Sequence, residues 1–273
     1  MASKLQPIDR NPPPNNRQLL ILLGLFVGFL VGVFWLVGLI ANSLIWLIPP
    51  SVEQQLGAVI VPAYEKLAQP SPTQDTLNQL LNRLETKLPP QQKQQRDYQI
   101  LYIPQPTVNA LALPGDRIII FAGLLDQVKS ENELMMILGH ELGHFANRDH
   151  LRGLGYQILV QIAFAYFFGD TGGWQSFAAS SVEAVTKAQF SQSQETQADQ
   201  FGLNLLQSTY GHVAGATDFF TRLNQQRNLD IAFLASHPAP GKRVVELQRL
   251  IKQRNYTIKE RSPLPKTLAT LKS

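Results

Sequence analysis

The chain of 273 residues contains no cysteine, so disulfides, thiolate metal sites and cysteine nucleophiles are excluded, and any metal must be held by histidine and carboxylate. Histidine is scarce, with five in all, and the three methionines are Met1, Met135 and Met136. The formal charge of +4 is spread thinly. No Lys/Arg block with interleaved aromatics exists, and no nucleic-acid partner is expected. No internal repeat of fixed period is present. Charge is absent altogether from Leu19 to Ile48, where only Asn42 and Ser43 are polar.

That run exceeds the ~20 apolar residues needed to cross a bilayer core. It is also about twice as long as the roughly 7–15-residue apolar core of a cleaved secretory signal. A transmembrane helix over 19–48 is therefore expected, with the lipid bilayer as a partner. Lys4, Arg10 and Arg17 precede it, and the next basic residue is Lys66. This bias puts the N-terminal tail, residues 1–18, in the cytoplasm and everything after Pro49 on the non-cytoplasmic side of a single-pass protein. Gly24, Gly28 and Gly32 share one helix face and would let a second helix approach, giving a homo-oligomer, although glycine is common in membrane helices generally.

Residues 49–95 are rich in Gln and Pro and read as a stalk with one short amphipathic helix, marked by Leu77, Leu80, Leu81, Leu84 and Leu88. A domain over 96–258 follows. Two β-like runs, Tyr98 to Ile103 and Arg117 to Phe121, are separated by turn-prone Pro104, Pro106 and Pro114-Gly115. Ser130 and Glu133 then form a capping-box pattern ahead of Leu134, Ile137, Leu138 and Leu142 at helical spacing. Leu154 to Phe168 is a second apolar run, too short to span and expected as a buried or interfacial helix, with an aromatic cluster at Phe164, Tyr166, Phe167 and Phe168. Further helices are expected from about Val182 to Leu206 and after Pro240, the latter carrying Val244, Leu247 and Ile251. Residues 259–273 read as a basic, solvated tail. The expected fold class is mainly α with a small β-sheet, plus one N-terminal transmembrane helix.

The chemistry concentrates in His140-Glu141-Leu142-Gly143-His144. Two imidazoles four residues apart on a helix face the same way and can share one ion, with Glu141 beside them. Neutral imidazoles suit zinc, and an unbound carboxylate next to it can deprotonate an attacking water. A catalytic zinc needs a third protein ligand, and the residues offer two. His150 stands where the pattern H-E-x-x-H-x-x-G-x-x-H has its last histidine. Here, however, Asn147 replaces the glycine, and no methionine follows to make the turn those enzymes need. The alternative is Glu195, in Glu195-Thr196-Gln197-Ala198-Asp199. Glu195 and Asp199 share a helix face, so one could bind metal while the other orients a ligand imidazole. An ordinary solvated acidic pair has the same spacing.

H-E-L-G-H, E-T-Q-A-D and Ser236-His237-Pro238 followed by Arg243 resemble, in that order, the metallopeptidase family that includes the CAAX prenyl protease and the heat-shock membrane protease HtpX. Val108 to Gly115 is similar to the segment before that family's zinc helix. The resemblance covers roughly Tyr98 to Ile251 and implies a mainly helical zincin-like domain with a small β element. It implies one zinc per chain on His140, His144 and Glu195, with Glu141 as the general base. It further implies Asp199 supporting a ligand histidine, and His237 and Arg243 near the site, His237 as oxyanion stabiliser. Asn109, Ala110 and Leu111, within the stretch to Leu113, are implied as an edge strand that pairs with extended substrate; a plain core strand fits the same residues. The single spanning helix departs from those two members and is closer to single-pass relatives acting outside the cytoplasm.

Three functions fit. The first is an endopeptidase acting on unfolded or membrane-proximal proteins. The second is a non-catalytic, metal-dependent membrane scaffold, and the third an exopeptidase with the same motif.

Overall fold

The structure is a computed structural model that describes residues 15–154, 184, 187–225 and 232–270. It divides into two units, Met1–Leu44 and Ile45–Ser273. The expected aromatic cluster at Phe164 to Phe168 lies outside the described residues.

Helix α1, Asn16–Leu47, begins where Asn15 and Gln18 cap each other reciprocally, side chain to backbone, at 2.9 and 3.0 Å. Its 32 residues would extend about 48 Å at 1.5 Å each, more than a bilayer core requires. Leu20, Leu25, Phe29 and Trp35 are among many large apolar side chains left exposed along it. Among the described residues it is the one helix long and apolar enough to cross a membrane. Among the described residues, nothing lies within 4 Å of where side chains on Gly24, Gly28 and Gly32 would point.

In the second unit, helix α2 (Pro50–Glu65), α3 (Pro72–Glu85) and a short α4 (Pro90–Lys93) lead into a three-stranded sheet of β1 (Gln99–Ile103), β2 (Ala110–Leu113) and β3 (Arg117–Phe121). The strand order is β1-β3-β2, with β1 parallel and β2 antiparallel to β3. Side chains alternate between faces. Ile100, Tyr102, Ala110, Ala112, Ile118 and Ile120 join the larger core, while Leu101, Ile103, Leu111, Leu113, Ile119 and Phe121 join a smaller one under α2. A sheet buried on both faces explains why its strands read as unbroken apolar runs.

The segment 49–95, expected as a stalk, is instead packed into this unit. Leu77, Leu80, Leu81, Leu84 and Leu88 are all buried in the larger core, and Val52, Leu56 and Ile60 in the smaller. Helix α3 also closes one side of the sheet: Gln74 Oε1 and Asn78 Oδ1 accept from the backbone N–H groups of Tyr102 (3.1 Å) and Ile100 (2.8 Å). A leucine stripe at helical spacing is the same for a solvated amphipathic helix and a packed one, so the spacing alone could not decide between them. The basic tail is likewise not a free end. Ser262 exchanges hydrogen bonds with Glu131 N–H and Asn132 Oδ1 at the start of the next long helix, and Leu268 is buried.

Glu85, at the C-terminal end of α3, is half-buried, and its Oε1 has no hydrogen-bond partner among the described residues. Burial, then Asp97 and Asp116, push its carboxyl up to about 7. An acid that is harder to ionise folded than unfolded loses stability as pH rises from its ordinary value, 4.5, to about 7. Glu85→Gln should therefore leave the melting temperature unchanged near pH 4 and raise it near pH 8, by a difference equivalent to about 1 kcal/mol after solvent screening. Thermal melts at the two pH values check this.

After a short α5 (Ala122–Gln127) comes α6, Glu131–Ala146. Ser130 caps it, accepting from Glu133 N–H at 3.3 Å, while Glu133 turns back to Lys129 N–H. A one-turn helix α7 (Asp149–Arg152) follows. Then come α8 (Gln192–Tyr210), α9 (Asp218–Gln225), α10 (Ala232–Ser236), α11 (Pro240–Gln253) and α12 (Lys266–Ala269). Helix α8 starts later than the expected Val182 because Ser191 and Gln194 form a capping box.

Candidate metal centre

Helices α6 and α8 cross at small residues. A β-carbon added to Gly202 would lie 2.9 Å from His140 N and 3.1 Å from the Met136 oxygen, and one on Gly143 would lie 2.7 Å from the Ala198 Cα. Only with both positions this small do the two backbones approach closely enough for α8 to present Glu195 and Asp199 to the histidines of α6. Gly202→Ala should force the helices apart, costing about 1–3 kcal/mol of stability and weakening metal binding. Calorimetry and a metal titration of the same sample read both effects.

One ligand atom from each of His140, His144, Glu195 and His237 falls within a common span of 4.8 Å, and all four residues are buried. His140 Nε2 and His144 Nε2 face each other at 3.0 Å. Glu195 approaches the first with Oε2 at 3.6 Å and the second with Oε1 at 3.4 Å. His237 Nδ1 lies 3.0 Å from Glu195 Oε1 and 3.3 Å from His140 Nε2.

The outward nitrogens are held by carboxylates. His140 Nδ1 meets Asp199 Oδ1 at 2.9 Å, and His144 Nδ1 meets Asp149 Oδ2 at 3.0 Å. Each contact turns Nε2 towards the centre and fixes the tautomer a metal ligand needs. Arg243 donates from Nε and Nη2 to Asp199 (2.8 and 2.6 Å) and sets Nη1 2.7 Å from Glu195 Oε2, with its guanidinium 4.0 Å above the Phe220 ring. Phe190 stacks on His144 and Phe233 on His237, so the surroundings are apolar.

The electrostatics demand positive charge. Four buried carboxylates, Glu141, Asp149, Glu195 and Asp199, stand against the buried guanidinium of Arg243 and the part-exposed one of Arg152. Burial alone would raise the Glu195 carboxyl, but His237, Arg243 and His140 outweigh it and hold it well below the usual range. Burial disfavours a charged His144, yet Asp149 and Glu195 lift its ring to about 9. Burial would raise the Asp199 carboxyl, but Arg243 and His140 together hold it low. Among the described residues, neither buried oxygen of Glu141 has a hydrogen-bond partner, and nor does His237 Nε2, 3.9 Å from Glu141 Oε1. Two converging imidazoles, a shared carboxylate and an unpartnered one beside them fit a divalent cation with nitrogen and oxygen ligands.

His140, Glu141, His144, Glu195, Asp199, His237 and Arg243 are thus brought together. His150 is not among them: its Nε2 faces Glu53 at 2.6 Å. Ala110 and Leu111 open β2, one of the two edge strands of the sheet, and Asn109 immediately precedes it. Val108 O accepts from Phe233 N–H, and Ser236 Oγ donates to Asn109 Oδ1 at 3.5 Å, linking this edge to the turn that carries His237. Asp149 was not singled out from the sequence. Its signal was weak, one acidic residue five positions after His144.

The model of peptidase family M48 matches residues 72–251. The chain is 29% identical over 151 residues to the mitochondrial metalloendopeptidase OMA1 of Arabidopsis thaliana, covering 54% of this chain and 30% of that protein. It is 30% identical over 146 residues to the metalloprotease LoiP of Escherichia coli K12, covering 52% and 58%. To human OMA1 it is 27% identical over 174 residues, covering 58% and 33%. The chain therefore spans less than two thirds of the length of each of these relatives.

Proposed function

The chain belongs to peptidase family M48, and from that premise we propose that it is a membrane-anchored zinc metalloendopeptidase acting on unfolded or membrane-proximal proteins. The observation that carries the reading is the convergence of His140, His144 and Glu195 beside the unpartnered carboxylate of Glu141. In this reading those three residues hold one zinc, which when bound supplies Lewis-acid polarisation of the scissile carbonyl.

Glu141 takes the proton from the water as its oxygen attacks the carbonyl carbon, and passes that proton to the amide nitrogen as the C–N bond breaks. Its buried, unpartnered oxygens leave it available as an acceptor. Asp199 and Asp149 keep the two imidazoles turned inward, and Arg243 fixes Asp199 and Glu195. His237, with Nδ1 turned to Glu195, offers Nε2 to the oxygen on which charge develops, as a donor when the ring carries both protons. An extended substrate pairs with the open edge of β2 at Asn109, Ala110 and Leu111.

The exposed apolar side chains of α1 support the bilayer as its surroundings. The charge bias of Lys4, Arg10 and Arg17 supports a cytoplasmic N-terminus with the residues after Pro49 on the non-cytoplasmic side. Self-association through Gly24, Gly28 and Gly32 belongs to the same reading.

The full chain in detergent, loaded with zinc and given a denatured protein, should cut at internal bonds. Blocking both substrate termini should leave the cuts seen by mass spectrometry unchanged. Loss of all cleavage on blocking would make it an exopeptidase.

A further inference from the structure

Glu53 is fully buried one turn into α2, only six residues after α1 ends, and a buried carboxylate survives only with partners. Arg96 supplies two, donating from Nη1 to Oε1 at 2.5 Å and from Nη2 to Oε2 at 2.8 Å. The third is His150 Nε2, 2.6 Å from Oε1. Burial alone would raise the Glu53 carboxyl, but His150 and Arg96 hold it well below the usual range.

His150 sits in the turn that leaves the H-E-x-x-H helix. Its Nδ1 faces the carbonyl oxygen of His144 at 3.4 Å, and its ring packs on Phe145 with centroids 4.6 Å apart. The residue before it, Asp149, holds His144 Nδ1 with one oxygen and Gln194 Nε2, next to Glu195, with the other. The residue before that, Arg148, takes a left-handed backbone (φ 57°) and donates to the carbonyls of Ile45 and Ile48, both at 2.6 Å. Three consecutive side chains thus grip, in turn, the end of the apolar helix, the imidazole of His144 and the first turn of α2.

We propose that Glu53 and His150 are positioning residues for the metal centre: their contact fixes the Arg148–Arg152 turn against the helix that follows the membrane span, and so sets Asp149 to orient His144. The membrane-proximal segment 45–65 is then a functional part of the centre and not a tether. The inference rests on the reading of His140, His144 and Glu195 as metal ligands. Neither Glu53 nor His150 touches the ligand atoms, and both act through Asp149 and the backbone of His144.

The test is a titration of cobalt(II) into the full chain in detergent, read by its visible absorption and by competition with a chromophoric chelator, beside a thermal melt. Glu53→Gln and His150→Gln should each weaken cobalt affinity by about tenfold and shift the absorption band. The double variant should be no worse than the weaker single, because both break one contact. Leu268→Ala, on the last helix, which packs on α3, should lower the melting temperature while leaving cobalt affinity unchanged. Should Glu53→Gln fail to fold, His150→Gln, which keeps the Glu53–Arg96 pair, carries the test alone. Variants that melt earlier yet bind cobalt as the wild type does would overturn the proposal and leave the metal centre standing. A wild type that binds no cobalt would overturn the centre itself.

Discussion

Glu141→Gln is expected to lower kcat for a denatured-protein substrate by on the order of 10³-fold while zinc content stays at the wild-type level. Glu141 lies between two histidines that point at one spot, yet neither of its buried oxygens has a hydrogen-bond partner among the described residues. Leaving a buried carboxylate without hydrogen bonds costs stability, and such a group is suited to a task that needs a free acceptor. Glutamine keeps the shape and cannot accept the proton. Since Glu141 is not in the proposed ligand set, metal binding should survive, and metal analysis with single-turnover kinetics on one preparation separates the two effects. A chain that bound zinc, cut protein and lost nothing on this substitution would remove Glu141 from the chemistry. A wild type that bound zinc and denatured protein without cutting would favour the scaffold.

Glu195→Gln is expected to cost more zinc affinity than the ~10–100-fold that residues behind a ligand typically cost, whereas Asp199→Asn should stay within that range. Glu195 faces both Nε2 atoms with its two oxygens, so its charge lies where the ion would be, while Asp199 meets His140 at its outward nitrogen. The substitution also leaves the Nη1 end of Arg243 facing a neutral amide, which adds repulsion for a cation at the centre. Competition with a chelator of known affinity measures both variants. Equal losses from the two would mean that Glu195 acts from behind the ligands, as Asp199 does.

Much of the centre was legible in the sequence because its signals are local. The spacing of His140 and His144 states a shared helix face, the Ser130–Glu133 pair states where that helix begins, and Glu195 and Asp199 repeat the same four-residue logic. Choosing Glu195 as the proposed third ligand needed more than spacing, since a solvated acidic pair looks identical. What brings α8 to α6 is legible only afterwards. Gly139, Gly143, Ala198 and Gly202 are small residues like any others until the two helices are seen to cross there.

The stalk expectation failed for a related reason. Gln and Pro content reports what lies on the outer face of α2 and α3, while Leu56, Ile60, Leu77 and Leu81 on their inner faces are buried. Glu53 and His150 are separated by 97 positions and belong to no pattern, so only the fold could join them.

The most direct test of the central claim is zinc add-back. The full chain in detergent is stripped with a chelator, titrated with zinc in fractions of an equivalent, and assayed at each step for internal cuts in a denatured protein by mass spectrometry. Cleavage absent from the stripped chain and rising to a plateau at one equivalent is the predicted result. Cleavage that persists in the fully stripped chain, or that never returns although one equivalent is bound, would contradict it.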